Sequence, residues 1–86
     1  MTKMLQLKIV SPEKVEFDGE VISVMVPGTK GNFEILVDHA PIISSLERGI
    51  VKFTQPGGEV NELTILGGFV EVQKNVVSVC VEIKED

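Results

Sequence analysis

The chain has 86 residues, which is enough for one small domain. Its formal net charge is −5, with 13 acidic against 8 basic residues. This argues against nucleic acid and against an anionic membrane surface, since both require clustered Lys and Arg. No apolar run approaches the roughly 20 residues that span a bilayer, and the N-terminus does not read as a signal peptide. With Cys80 as its single cysteine, we expect one cytosolic domain over residues 1–86, without disulfides, nucleic acid or direct membrane insertion.

Apolar and polar residues alternate along most of the chain, which is the pattern of half-buried β-strands. In the first run, residues 4–10, Leu5, Leu7 and Ile9 share one face. The later runs lie at residues 20–26, 51–54, 63–65, 70–73 and 77–83. Between them, residues 41–48 read PIISSLER and fit a strand or turn better than a helix, because the segment is short and contains an Ile pair.

Turn-forming segments separate these runs. In chain order they read SPEK, FDGE, VPGTKGN, ERG, QPGGE, LGG and KNV. Turns at intervals of about 8 to 12 residues are typical of an all-β sandwich or barrel. The glycine pairs at 57–58 and 67–68 predict a hairpin turn and a bulge.

Residues that could hold a cofactor or a metal are sparse. The segment VPGTKGN contains Gly28 and Gly31 but lacks the spacing and the trailing Gly-Lys-Ser/Thr of a phosphate loop. One histidine, His39, and one cysteine, Cys80, do not make a metal-ligand cluster. We therefore expect no cofactor and no metal, and a filling role for Cys80 on a strand face that also carries Ser78 and Glu82.

The adjacent pair Asp38-His39 is the main candidate for catalytic machinery. Neighbouring residues on an extended chain point to opposite faces, and Ala40 is biased toward extended geometry because it precedes Pro41. Asp38 is therefore poorly placed to orient the histidine, as a catalytic triad would require. We expect no catalytic residue here and a structural or interface role for His39.

Several motifs occur together in one order: VSPE after the first strand, F-x-G-E-V, VPG-x-x-G, HAP, RGIV and GGFVEVQ-x-N-x-V. Through them the sequence from about Leu5 to Glu82 closely resembles the epsilon subunit family of F-type ATP synthases. The resemblance implies a two-sheet β-sandwich of about nine or ten short strands. It also implies a non-catalytic rotor subunit of the central stalk, which couples the gamma shaft to the c-ring during proton-driven ATP synthesis. Such a subunit is peripheral, at the cytoplasmic face of a bacterial-type plasma membrane.

The resemblance also assigns residues to partners. Five positions match the surface that meets the gamma subunit: Ser11, His39, Ala40, Pro41 and Ser44. Five more match the loop that faces the c-ring: Gly28, Thr29, Lys30, Gly31 and Asn32. Apolar residues on otherwise polar faces, such as Val21 and Met25, are further candidates for partner contacts.

The sequence departs from the family pattern in three ways. Asn32 replaces an acid of the ring-facing loop, and Lys30 adds a positive charge to it. Val37-Asp38 stands where the family has Pro-Gly before the histidine. Family members commonly continue into two C-terminal helices, which restrain ATP hydrolysis and in some members bind ATP. This sequence ends at VEIKED, so no ATP binding is expected of it.

A second hypothesis from another class is a small carrier domain, since lipoyl and biotinyl domains are sandwiches of similar length. Those domains carry a modified lysine at a hairpin tip between specific neighbours. Lys30 in GTKGN is the comparable residue, and its neighbours differ from the carrier pattern. An enzyme built on Asp38 and His39 lacks any third group.

Overall fold

The computed structural model describes residues 3–84, and these form an all-β domain. The nine strands follow one another with short connections: β1 (Leu5–Val10), β2 (Val15–Val21), β3 (Ser23–Gly28), β4 (Gly31–Leu36), β5 (Ile42–Leu46), β6 (Gly49–Thr54), β7 (Val60–Ile65), β8 (Gly67–Gln73) and β9 (Val76–Glu82). The predicted all-β class is confirmed, and residues 41–48 do contain a strand. Within residues 3–84 there is no helix long and apolar enough to cross a membrane.

The strands pair in the order β2-β1-β9-β8-β5-β3-β6-β7, and β4 pairs with the other edge of β3. The pair β1–β9 is parallel and the others are antiparallel. We call β2-β1-β9-β8-β5 the β8 half and β4-β3-β6-β7 the β3 half. A single register pair, Gly28–Leu46, joins them, so the sheet is one curled sheet. The resemblance implied two separate sheets, and this part of the prediction is not confirmed.

The inner faces of the two halves share one hydrophobic core, as expected when alternating strands curl around their apolar faces. The fully buried members are mostly Val, Ile and Leu, and they come from every strand except β5, which adds the nearly buried Leu46. Phe17 of β2 packs against Phe53 of β6 in a tilted arrangement, with ring centroids 4.5 Å apart and an interplanar angle of 49°, and this contact connects one half to the other. Each fully buried aliphatic side chain stabilises the fold by about 1.5–3 kcal/mol.

The run at residues 20–26 is not one continuous strand. β2 ends at Val21, Ile22 is a bend, and β3 begins at Ser23. The interruption changes the alternation, so Val21 and Val24 are both fully buried while Ile22 is exposed. The expectation that Val21 faces a partner is therefore wrong. Met25 is half-buried on the outer side of β3.

The two glycine pairs play different parts. Gly57 and Gly58 have φ of 99° and 98° and form the turn between β6 and β7, as predicted. The pair Gly67-Gly68 does not form the predicted bulge, because the β8–β9 register runs without a shift from Gly67 to Gln73. Gly68 instead lies where the backbones of β8 and β9 approach each other closely.

Candidate interaction surface

The loop Gly28–Asn32 is the tight connection between β3 and β4. Gly28 pairs with Gly31 across a two-residue turn, Thr29-Lys30, and Gly31 has a φ of 123°. Lys30 and Asn32 are exposed at its tip. The Thr29 N–H donates to the Ser45 carbonyl oxygen at 3.2 Å, so the loop leans toward β5. A surface depression of about 530 Å³ lies between residues 28–33 and residues 42–45.

Ser11 lies in the turn between β1 and β2. Its N–H donates to the Lys14 carbonyl oxygen at 2.9 Å, and its hydroxyl donates to Glu16 Oε2 at 2.9 Å. These local bonds are those of a turn serine. Ser11 also lines a depression of about 360 Å³ with Phe69 and Cys80, at the end of the β8 half where β1 and β9 finish.

His39, Ala40 and Pro41 form the connection between β4 and β5. The His39 N–H donates to the Leu36 carbonyl oxygen at 3.1 Å and closes a turn, and the half-buried ring has Nδ1 2.7 Å from the Ala40 carbonyl oxygen. The Asp38 carboxylate bonds to Asn75 and Lys3 rather than to the histidine. Asp38 and His39 therefore have separate partners.

Asp38 occupies the third position of that turn with a φ of 65°, a left-handed conformation that favours glycine. This explains how the sequence tolerates Val37-Asp38 in place of Pro-Gly, because Asp and Asn enter this region more easily than other residues. Asn75, in the turn between β8 and β9, also has a positive φ, 64°. The Asp38 N–H donates to Asn75 Oδ1 at 2.6 Å, and Asn75 Nδ2 donates to Asp38 Oδ1 at 3.0 Å. The two turns are thus joined side by side.

Two groups hold the pKa of the Asp38 carboxyl below its ordinary value. The larger effect is the hydrogen bond from Asn75, and the second is the positive charge of Lys3, whose Nζ lies 3.4 Å from Asp38 Oδ2. A carboxyl whose pKa is lowered by folding stabilises the fold above its ordinary pKa. That contribution disappears as the pH falls through the lowered value. We expect it to be fully present at neutral pH.

We predict that Asn75→Ala and Asn75→Gly both raise the pKa of Asp38 toward its ordinary value, because both remove its main hydrogen-bond donor. Asn75→Ala should also be less stable than Asn75→Gly by about 1 kcal/mol, since only alanine is strained in the left-handed region. NMR titration of the Asp38 carboxyl and urea unfolding measure the two effects. An unchanged Asp38 pKa in both variants would contradict this assignment.

Ser44 lies on β5 opposite the buried Val70 and is half-buried. Its hydroxyl donates to the Ser45 carbonyl oxygen at 3.3 Å. The strand alternation therefore turns Ser44 toward the inner side and its neighbour Ile43 toward solvent, where Ile43 is 73% exposed.

The structure does not bring all the predicted gamma-surface residues together. Ser11 lies at the end of the β8 half where β1 and β9 finish, because Val10 pairs with Cys80. His39, Ala40 and Pro41 lie at the opposite end, beside Asp38, which bonds to the β8–β9 turn. Ser44 is between the two ends and also borders the depression beside the ring-facing loop. The assignment of these residues to a partner stays a prediction.

The outer face of the β8 half carries large apolar side chains that the sequence reasoning did not single out. Phe69 is 50% exposed, and Val76 on β9 is 49% exposed. Phe69 pairs with Ser45 of β5 on one side and with Cys80 of β9 on the other. Ile43 pairs with Glu71, two residues along β8, so Ile43 and Phe69 are diagonal neighbours on the same face. The strict alternation in GGFVEVQ already predicts that the side chain of Phe69 points to the face opposite to that of Val70 and Val72. That signal could have marked it as a solvent-facing aromatic residue.

Chemistry-bearing groups are few on this surface. Cys80 is a free, half-buried thiol on the face shared with Ser78 and Glu82, as expected. Across residues 3–84 there is no cluster of three or more His, Cys, Asp or Glu arranged to hold a metal ion. What the surface offers is exposed apolar area on a β-sheet, which is typical of contact with another protein.

The two halves of the curled sheet pack on one shared core, which is the architecture of a small β-sandwich domain. Residues 4–86 match the family described as "ATP synthase, Delta/Epsilon chain, beta-sandwich domain". The chain belongs to this family.

Relatives with the name ATP synthase epsilon chain cover almost the whole chain. The chain is 39% identical over 85 residues to that of Leptospira borgpetersenii and 38% identical over 77 residues to that of Synechocystis sp.. These alignments cover 95% and 90% of the chain but only 66% and 56% of the relatives. The chain thus spans slightly less than two thirds of the Leptospira relative and little more than half of the Synechocystis one.

Two solved structures share the fold. One is the Euglena gracilis mitochondrial ATP synthase, described as OSCP/F1/c-ring in rotational state 1, with a TM-score of 0.88 at 20% identity. The other is the Tetrahymena thermophila mitochondrial ATP synthase, described as central stalk/c-ring, with a TM-score of 0.76 at 19% identity. Each covers 94% of this chain, and the chain covers 52% and 65% of those chains. The family match and the epsilon-chain relatives favour the epsilon interpretation over the carrier domain.

Proposed function

We propose that this domain is a non-catalytic rotor subunit of the central stalk of an F-type ATP synthase, and that it couples the gamma shaft to the c-ring during proton-driven ATP synthesis. The observation that carries the proposal is the family match over residues 4–86. The epsilon-chain relatives support it, because they align with nearly the whole chain.

The fold suits a part that transmits torque. A coupling subunit must hold its two binding surfaces in a constant relative position, so that rotation of one is passed to the other. In this domain one continuous core and the Phe17–Phe53 contact connect the β8 half to the β3 half. Close-packed interiors transmit strain because they are hard to compress.

The gamma subunit would bind the outer side of the β8 half. This surface includes Ser11 at one end and His39, Ala40 and Pro41 at the other. Ser44 lies between them on β5 with its side chain turned toward the inner side, so it would take part only where it borders the depression beside β5. The exposed Ile43 and Phe69 lie between these ends and supply apolar area. Aromatic and aliphatic anchors at the centre of an interface usually provide most of its binding free energy.

The c-ring would meet the loop Gly28–Asn32. This loop is separate from Ser11 and from the His39–Pro41 connection, whereas Ile43 and Ser44 border the depression beside it and lie where the two partner surfaces would meet. In this arrangement the subunit is peripheral, at the cytoplasmic face of a bacterial-type plasma membrane, and the ring rather than a span of its own holds it there.

The proposal is tested by size-exclusion chromatography with the gamma subunit from the same source. We expect a stable complex at micromolar concentrations, and its absence would argue strongly against the proposal.

Within that complex we predict that His39→Arg weakens binding by about tenfold, or about 1.4 kcal/mol. A long, permanently charged side chain would replace a compact ring that bonds within its own loop. Thr64→Arg, on the exposed side of β7, is the matched control and should leave the affinity unchanged. An equal affinity for the His39→Arg variant would leave His39 with a structural role alone.

A further inference from the structure

Strand β5 has a neighbour along its whole length on one side only. It pairs with β8 from Ile42 to Leu46, but with β3 at the single pair Gly28–Leu46. From there the β3–β4 hairpin diverges from β5 and leaves the depression of about 530 Å³ between them. Part of the edge of β5 is therefore open inside the sheet.

Two hydrogen bonds identify which main-chain groups face this open side. The Thr29 N–H donates to the Ser45 carbonyl oxygen at 3.2 Å, and the Glu47 N–H donates to the Pro27 carbonyl oxygen at 2.9 Å. Main-chain groups of every second residue in a strand face the same side. The register of β5 is unbroken, so the N–H and C=O of Ile43 and the N–H of Ser45 face the depression. None of the three has a main-chain partner among residues 3–84.

The open edge is short and has defined limits. Toward the N-terminus, the next residue whose main-chain groups would face the depression is Pro41, and proline has no N–H that could donate a hydrogen bond. In the other direction, the Glu47 N–H is already bonded to Pro27. The edge can thus pair with about two or three residues of an extended segment, at roughly 3.3 Å per residue.

The depression differs in charge from the rest of the molecule. The chain has a net charge of −5 with 13 acidic residues, yet no acidic residue lines the depression. Lys30 lines it, and its other polar lining groups are neutral side chains such as Thr29 and Asn32. A segment that enters here meets one positive charge and unpaired main-chain donors, a combination that favours a carboxylate.

We propose that this depression binds an extended, acidic segment of the c-ring by strand addition to β5, with main-chain bonds to Ile43 and Ser45 and a carboxylate beside Lys30. Exposed sheet edges commonly bind extended peptides in this way, because the main-chain bonds supply affinity and the flanking side chains supply specificity. The inference rests on the proposed function, since it names the kind of ring segment that the loop Gly28–Asn32 would meet. A helix would leave the unpaired groups of Ile43 unsatisfied, so it fits less well.

Amide hydrogen exchange tests the strand addition directly. In the free domain, the amides of Ile43 and Ser45 should exchange rapidly, whereas those of Ser44 and Leu46, which face β8, should be protected. The same amides are then labelled in the complex with the detergent-solubilised c-ring and are read after dissociation. We expect the exchange of Ile43 and Ser45 to slow by at least about tenfold. Protection of both amides in the free domain, or no change in the complex, would overturn the inference.

Charge reversal tests the carboxylate. Lys30→Glu should weaken c-ring binding by about tenfold or more, because it places like charges together in the depression. Lys84→Glu makes the same change of net charge at an exposed position after β9 and should have no effect on ring binding. Equal affinities for the two variants would overturn the acidic assignment. If the ring binds but the amides of Ile43 and Ser45 are not protected, strand addition is wrong and the proposed ring contact stands. If the ring does not bind at all, both strand addition and the proposed ring contact are wrong.

Discussion

Gly68→Ala is expected to destabilise the domain by about 3–5 kcal/mol, a large share of the stability of so small a fold. An added Cβ at this position would overlap the Cys80 carbonyl oxygen and lie 2.9 Å from Val81 Cα. These atoms belong to the backbone of β9 and cannot move without separating β8 from β9. Gly68 also has a φ of 151°, which side chains rarely adopt.

Gly67→Ala provides the matched control. The nearest atom to a Cβ at Gly67 is the Leu46 carbonyl oxygen at 3.6 Å, which is ordinary van der Waals contact. Urea unfolding of both variants should therefore show a large loss of stability at Gly68 and a loss within about 0.5 kcal/mol at Gly67. Similar stabilities of the two variants would mean that β8 and β9 do not approach as closely as the register requires.

Ile43→Lys is expected to leave the domain folded and to weaken the gamma complex by roughly 30- to 700-fold, or about 2–4 kcal/mol. Ile43 is 73% exposed, so its replacement removes little from the core. Lysine at this position lies opposite Glu71, which is a favourable cross-strand pair. In the complex, however, the substitution removes apolar contact area and buries an unpaired charge.

The matched control is Ile50→Lys, on β6 in the β3 half. Ile50 is 48% exposed and lies opposite Thr64, so the same substitution is made on a sheet surface that we do not assign to the gamma subunit. Calorimetric titration with the gamma subunit should separate the two variants. If both bind like the unmodified domain, the gamma subunit does not use the outer face of the β8 half.

Local pattern predicted much of the secondary structure. Alternation at residues 4–10 and 77–83 corresponds to β1 and β9, and QPGGE corresponds to the β6–β7 turn. These features depend on neighbouring residues only, since strand alternation and positive-φ turns are properties of a short segment. The prediction failed at Val21, because a single bend at Ile22 changes the side of the sheet that the following residues face.

The candidate surface was predicted less completely. The order of motifs identified the family, and the loop Gly28–Asn32 is a hairpin tip as its glycines suggested. Ile43 and Phe69 were missed because each lies beside another apolar residue, the half-buried Ile42 and the buried Val70, and only the pairing of β5 with β8 makes Ile43 and Phe69 neighbours. The sequence showed that Asp38 departs from the family pattern. It did not show the hydrogen bond to Asn75, because Asn75 is 37 residues away in the sequence.

Composition, alternation and motif order were thus sufficient for the all-β class, most strand positions and the family. The tertiary structure decided the rest: the single curled sheet, the separation of Ser11 from His39, the bonded turns of Asp38 and Asn75, and the open edge at Ile43 and Ser45. Each of these depends on which strands lie side by side and in which register. Register is set by burial of the whole inner face and by contacts between distant segments, so no local pattern contains it.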